Sequence, residues 1–156
     1  EGAPAIKEMN KDTLLSVIYD LNYDVFTDIC NEITKIDRGE IDNELSRQAN
    51  IFAHYAVLQD ICKKRLDDAN LDMTIFMGSS RKEGQADLSG RAKKPTAKDL
   101  DDYVVSLPQY RELGQKVNEL SMKYQMLRSL VGALAQKKDV MVQISANLRA
   151  EKNIYS

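Results

Sequence analysis

One stretch of the sequence determines the fold: residues 113–148, which read LGQKVNELSMKYQMLRSLVGALAQKKDVMVQISANL. Its apolar residues recur at alternating intervals of four and three, the spacing of a helix that packs along a seam. The seam consists of Leu113, Val117, Leu120, Tyr124, Leu127, Val131, Leu134, Lys138, Met141, Ser145 and Leu148. The heptad spacing predicts a long last helix, starting near Ser106 and Pro108, with left-handed, coiled-coil-like packing on a partner helix.

A second long helix is predicted upstream, from about Asn43 to Met77. Its apolar stripe consists of Ile51, Tyr55, Leu58, Cys62, Leu66, Ala69, Met73 and Phe76. Residues 78–96 contain three Gly, three Ser and one Pro and lack an apolar period, which predicts a mobile basic loop. Thr96 then caps a short helix that ends near Leu107. Two long helices joined in this way fold back as an antiparallel hairpin, so we expect an all-α fold with a hairpin over 43–156.

The N-terminal segment, residues 1–42, is predicted to carry one additional helix, from about Thr13 to Ile36, after a flexible lead-in. Residues 1–44 contain eleven acidic and four basic residues, whereas residues 45–156 contain thirteen acidic and eighteen basic ones. This asymmetry predicts two electrostatic roles in one chain: the acidic segment could compete with an acidic ligand for the basic part of the chain, or it could dock a basic partner.

The last helix carries a second apolar line beside its seam, which one partner helix is too narrow to cover. This line consists of Met126, Leu130, Ala133, Val140 and Ile144. Either the N-terminal helix or another subunit must cover it. We expect another subunit to cover part of it, because such a patch would otherwise face water, and the chain is therefore predicted to be oligomeric.

Residues that could perform catalysis are sparse. The chain has one histidine, His54, and two separated cysteines, which argues against a zinc site. Asp67, Asp68 and Asp72 lie close together on the second helix, but the last helix offers no second acidic pair with a matching His or Glu-x-x-His for Mg²⁺, so we interpret them as a solvated face. Phosphate-binding, metalloprotease and serine-hydrolase motifs are also missing. The sequence thus predicts no enzyme, no catalytic residue, no metal and no cofactor.

The composition predicts a soluble protein of a reducing compartment. Apolar residues make up 43% of the chain and charged residues 29%, and no apolar run is long enough to span a membrane. Cys30 and Cys62 both lie in apolar-periodic segments, as free core thiols do. The N-terminus has neither the basic nor the apolar part of a signal peptide. We therefore expect a cytoplasmic location without membrane contact.

Basic residues cluster in two places. Lys63, Lys64 and Arg65 form a triplet on the second helix, and a larger group lies in and beside the predicted loop. That group comprises Arg81, Lys82, Arg91, Lys93, Lys94 and Lys98, with only Glu83 and Asp87 opposing them. A glycine-containing basic segment suits a phosphate backbone of no fixed shape, although solubility alone would also explain it. The aromatic residues near basic ones that could stack on bases are Tyr103, Tyr110 and Tyr155.

The segment KKRLDDANLD (63–72), the Gly-rich basic loop and the ending ALAQKKDVMVQISANLRAE (133–151) resemble phage recombination mediators of the UvsY type. The resemblance covers roughly residues 45–151 and does not extend to the acidic N-terminal helix. It implies a non-catalytic protein that binds single-stranded DNA and self-assembles into rings. It also implies that the protein loads a RecA-like recombinase onto strands coated by single-stranded-DNA-binding protein, in the host cytoplasm if the chain is phage-encoded.

The resemblance also implies roles for individual positions. Lys63, Lys64 and Arg65 match a basic stretch that contributes to DNA binding, and Arg81, Lys82, Arg91, Lys93 and Lys94 join them as candidates through the charge pattern. The candidates for assembly are Val131, Leu134, Met141, Ile144 and Leu148.

Two other functions remain open at the level of sequence. A helical interaction module, such as an assembly chaperone or a coiled-coil adaptor, would explain the heptad seam equally well and would leave the basic loop incidental. A helical-bundle enzyme with a carboxylate metal site would require stabilisation by metal.

Overall fold

Helices form all the regular secondary structure in the computed structural model, which describes residues 20–91 and 93–156. The four α-helices whose full bounds lie in these residues are α1 (Tyr23–Ile33), α2 (Ile41–Leu88), α3 (Ala97–Ser106) and α4 (Pro108–Tyr155). A short 3₁₀ helix, Arg38–Glu40, precedes α2. The predicted all-α class is confirmed for this part of the chain. No helix within it is both long and apolar enough to cross a membrane.

Helix α1 is shorter than the predicted Thr13–Ile36 helix. Asp20 is helical, but Leu21 and Asn22 are not, and a new helix begins at Tyr23. The Asn22 side chain accepts a hydrogen bond from the Val25 amide at 3.0 Å, an N-cap that the apolar period does not reveal. The helix ends at Ile33, and the predicted positions before residue 20 lie outside the described residues.

Helix α2 continues eleven residues beyond its predicted end at Met77, so the predicted loop at 78–96 is wrong over its first half. Ser80 and Gly84 are buried on one face of this extension. A Cβ at Gly84 would lie 2.6 Å from the Tyr103 ring of α3, so the contact requires a residue without a side chain. The small residues that suggested a loop are thus a helix contact face, and residues 89–96 alone connect α2 to α3.

The described residues form two compact units, the first of which comprises residues 20–62 and 123–156. Its core contains Leu21, Tyr55, Leu58, Cys62, Leu127, Leu130 and Leu134, against which Phe26, Ile29, Cys30 and Ile33 of α1 pack. Burial of each large apolar side chain contributes about 1.5–3 kcal/mol. Leu130 belongs to the second apolar line of the last helix, so part of that line is covered within the chain.

In the first unit, residues early in α2 contact residues late in α4, and residues further along α2 contact earlier residues of α4. Ile41 and Asn43 line a groove with Ser145 and Arg149. Further along, Gln48 Nε2 donates to the Leu134 carbonyl oxygen at 2.8 Å, a bond that satisfies a buried amide.

The seam of α4 differs from its predicted course at three positions. The buried residues of α4 are Lys123, Leu127, Leu130, Leu134, Lys137 and Met141. Lys123, Leu130 and Lys137 therefore replace Tyr124, Val131 and Lys138, and Lys138 is exposed. The reason is that α1 packs on the same core and makes a buried site for an ammonium group, which the pattern of α4 alone does not show.

The second unit, residues 63–122, contains the later half of α2, all of α3 and the start of α4. Ala69 and Val104 are buried in it. A capping box starts α3, because the Thr96 side chain accepts from the Asp99 amide and the Asp99 carboxylate accepts from the Thr96 amide. The predicted short helix after Thr96 is therefore confirmed, with its last residue at Ser106.

Candidate nucleic-acid interface

The basic triplet of α2 does not present three free cations on one face. Successive helical residues point about 100° apart, so Lys63, Lys64 and Arg65 are directed differently. Lys63 Nζ lies 3.1 Å from the Asp67 carboxylate, and Lys64 Nζ lies 2.8 Å from that of Asp68. Arg65 is half-buried. Any phosphate that approaches the two lysines would compete with carboxylates four residues away.

The pKa of Lys64 reflects this pairing. The hydrogen bond to Asp68 raises it above its usual value, and the charge of the same carboxylate adds to the effect. Both lysine side chains remain exposed, so water screens the pairs and each contributes little to stability. These pairs therefore limit the positive potential of the triplet more than they stabilise the helix.

Arg81 is also paired. Its guanidinium hydrogen-bonds to the Asp101 carboxylate and so connects α2 to α3 in the second unit. Planar guanidinium groups match carboxylates well, and this bond orders the end of α2 against α3. Arg81 thus has a structural partner in addition to its predicted contact with DNA.

The remaining basic candidates lie at the end of α2 and in the connection that follows it. Lys82, Arg91, Lys93 and Lys94 are exposed, and no ion pair within the described residues involves them. We call residues 81–98 the basic segment; it has six basic and two acidic residues, a net charge of +4. The neighbouring carboxylates of Asp99 and Asp101 are engaged by the capping box and by Arg81.

Of the three aromatic candidates, Tyr103 is already used inside the second unit. Its hydroxyl donates to the Asp87 carboxylate at 2.8 Å, and its ring lies against the Gly84 backbone. The bond to Asp87 raises the pKa of Tyr103 above its usual value. Tyr155 ends α4 and is 90% exposed, whereas Tyr110 is half-buried and lines a groove.

The assembly candidates on α4 divide by exposure. Leu134 and Met141 are fully buried within the chain, so their side chains already have partners. Val131 and Ile144 are half-buried, and Leu148 is 39% exposed. A contact with another copy would therefore use the latter three residues.

Lys137 performs a role that the sequence pattern did not predict. Its side chain is 7% exposed, and Nζ donates to the Ile33 carbonyl oxygen at 2.8 Å. The Glu44 carboxylate lies 3.8 Å from the same nitrogen. A cation at the last carbonyls of a helix satisfies orphan acceptors and favours the helix dipole. Lys137 thus fixes the C-terminus of α1 to α4 and is unavailable for DNA.

The histidine and the cysteines considered for catalysis are partly or fully buried in the fold. His54 is half-buried with its ring against Tyr55, and burial lowers the pKa of the imidazole. Burial likewise raises the pKa of the Cys30 thiol. Within residues 20–91 and 93–156, no three His, Cys, Asp or Glu side chains are arranged to hold a metal ion.

Comparison with protein-family models, with curated proteins and with solved structures yields no significant match to this chain.

Proposed function

We propose that this chain is a non-catalytic single-stranded DNA-binding protein that acts as a recombination mediator. The observation that carries the DNA-binding part is the basic segment, in which Lys82, Arg91, Lys93 and Lys94 are exposed and form no ion pair within the described residues. Cations that form no close ion pair remain available for phosphate, and Arg91 also interacts electrostatically with the Asp99 carboxylate.

The physical basis is the release of counterions from the phosphate backbone. Each neutralised phosphate of a single strand contributes about −0.7 to the slope of log K against log salt. The described residues of the connection, 89–91 and 93–96, are neither helix nor strand, so Arg91, Lys93 and Lys94 need no fixed duplex geometry. This arrangement favours a flexible strand and electrostatic, sequence-independent binding.

The mediator role rests on the resemblance of residues 45–151 to the UvsY type. It supplies the partners that we propose: a RecA-like recombinase, single-stranded-DNA-binding protein and further copies of this chain. We also propose that α2 and α4 form an antiparallel hairpin. The opposed contacts in the first unit support that arrangement. Several weak DNA contacts on one oligomer would combine into tight binding through avidity.

Two variants of equal charge test the DNA-binding part. In the first, Lys82, Arg91, Lys93 and Lys94 are changed to Gln. In the matched control, four exposed basic residues of the first unit, Lys35, Arg47, Arg128 and Lys138, are changed to Gln. Binding to fluorescent oligo-dT is followed by anisotropy. We expect a loss of at least tenfold in affinity for the first variant and a much smaller loss for the control.

Equal losses in the two variants would mean that only net charge matters and that the basic segment is not the binding site. Circular dichroism and a urea titration of both variants establish that each remains folded. If the wild-type chain itself does not bind at low salt, the proposal is wrong.

A second candidate function, a helical interaction module, is favoured by exposed apolar residues on α2. Leu71 and Ile75 are 57% and 61% exposed and lie four residues apart on one helical face. Adjacent exposed apolar side chains indicate a protein contact more often than isolated ones do. Oligo-dT binding that Leu71→Ser and Ile75→Ser leave unchanged would support the DNA function. A stable protein complex unaffected by salt would support the module.

A further inference from the structure

The second unit contains an open groove that lies outside the basic segment. Its volume is about 430 Å³, and Tyr110, Arg111, Gln115 and Asn118 of α4 line it together with Met73 of α2. Pockets for small ligands range from about 300 to 1,000 Å³, so the groove matches a ligand the size of one nucleotide.

The side chains of the groove have free recognition groups. No hydrogen bond within the described residues engages the Tyr110 hydroxyl or the side-chain amides of Gln115 and Asn118. This distinguishes Tyr110 from Tyr103, whose hydroxyl and ring are both committed to α2. Arg111 is exposed and forms no ion pair within those residues.

These groups match the chemistry of an unpaired nucleobase. An aromatic face stacks on any base, carboxamides donate and accept along base edges, and a guanidinium binds the adjacent phosphate or stacks on the ring. A double strand keeps its bases stacked inward and cannot use such a site. We propose that the Tyr110 groove holds one base of a bound single strand, an inference that rests on the proposed DNA-binding function.

Gly114 keeps the floor of the groove open. A Cβ built at this position would lie 4.0 Å from Met73 Cε, which is an ordinary contact, and no closer atom is present. A Cβ therefore fits at Gly114, and the further atoms of a larger side chain would occupy groove space beside the flexible end of Met73. This position offers a way to block the groove while leaving Tyr110 in place.

The test compares oligo-dT with an abasic strand of equal length, which has the same phosphates and no bases. We expect wild-type protein to bind oligo-dT about tenfold or more tightly than the abasic strand, since stacking of one base accounts for such a factor. Tyr110→Ala should remove this preference and leave abasic binding unchanged. Tyr110→Phe keeps the aromatic face and should retain the preference.

Gly114→Leu provides a second variant that does not alter the aromatic residue. Gly132→Leu is its matched control, because Gly132 lies on the same helix and a Cβ there meets nothing within 4 Å. We expect Gly114→Leu to abolish the preference for bases and Gly132→Leu to keep it. A strand with 5-iododeoxyuridine should photocrosslink to Tyr110 in wild-type protein, as identified by mass spectrometry.

The two levels of the proposal fail differently. Absence of binding to either strand would overturn the DNA-binding function and the groove with it. Binding without a preference for bases, or a preference that survives Tyr110→Ala and Gly114→Leu, would overturn the groove alone.

Discussion

Lys137 has a buried ammonium group whose partners are backbone and carboxylate oxygens. Replacing it by Met keeps the aliphatic stem but leaves the Ile33 carbonyl and the Glu44 carboxylate without their cation. Loss of a buried hydrogen bond of this kind costs about 1–3 kcal/mol. We therefore expect Lys137→Met to lower the free energy of unfolding in urea by an amount in that range.

Lys138→Met is the natural control for Lys137→Met. Lys138 is exposed on the next position of the same helix, and surface substitutions alter stability by about 0.5 kcal/mol or less. Equal destabilisation by the two substitutions would show that Lys137 does not fix the end of α1.

His54 gives the stability of the protein a specific dependence on pH. Burial lowers the pKa of the folded imidazole below its unfolded value of about 6.5, so the unfolded chain binds the proton more readily. The stabilising contribution is present above about pH 6.5 and is lost as the pH falls towards the folded pKa. Urea midpoints at pH 7.5 and 5.8 should differ in wild-type protein and differ less in His54→Gln.

Tyr55→Phe serves as a control for His54→Gln because it keeps the neighbouring ring and the only histidine. It should retain the wild-type pH dependence. If the pH dependence of stability persists unchanged in His54→Gln, it arises from other groups.

At the scale of the element, the end of α2 depends on the close approach of α3 at Gly84. Gly84→Ala would place a methyl group 2.6 Å from the Tyr103 ring, a ring also held by its bond to Asp87. Overpacking of this kind costs about 1–3 kcal/mol, so we expect a lower urea midpoint.

Gly78→Ala on the same helix should have the opposite effect. A Cβ at Gly78 meets nothing within 4 Å, and alanine in a helix interior is about 1 kcal/mol more favourable than glycine. If both substitutions stabilise the protein, the contact between Gly84 and Tyr103 is not tight.

The elements that could be predicted from the sequence are those whose packing repeats along one helix. The heptad spacing from Leu113 to Leu148 and the cap at Thr96 predict α4 and the start of α3 correctly. The extension of α2 to Leu88 could not be predicted, because a contact face of Ser80 and Gly84 has no apolar period.

The candidate site could be predicted less well than the fold. Charge counts locate the basic segment, but whether a cation is free depends on neighbours in space. Lys64 pairs with a residue four positions away, which a helical wheel reveals, whereas Arg81 pairs with Asp101 on another helix, which it does not. The burial of Lys137 likewise depends on α1.

At the scale of the whole molecule, the ion pairs of the Lys63–Arg65 triplet provide a test of its role in DNA binding. Asp68→Asn releases Lys64 from its ion pair, whereas Asp72→Asn removes the same charge where no ion pair exists within the described residues. If the triplet contacts DNA, Asp68→Asn should raise the affinity for oligo-dT several-fold more than Asp72→Asn. Equal increases in affinity would mean that only the overall charge matters and that Lys64 does not contact DNA.

The central claim is that exposed cations of the basic segment bind a single strand through its phosphates. The measurement that tests it most directly is the affinity of the wild-type chain for oligo-dT across a salt series, with a duplex of equal length as control. Four phosphate contacts predict a slope of log K against log salt near −3. The account predicts this slope together with preference for the single strand. Absence of binding at about 50 mM salt, or equal binding to the duplex, would contradict it.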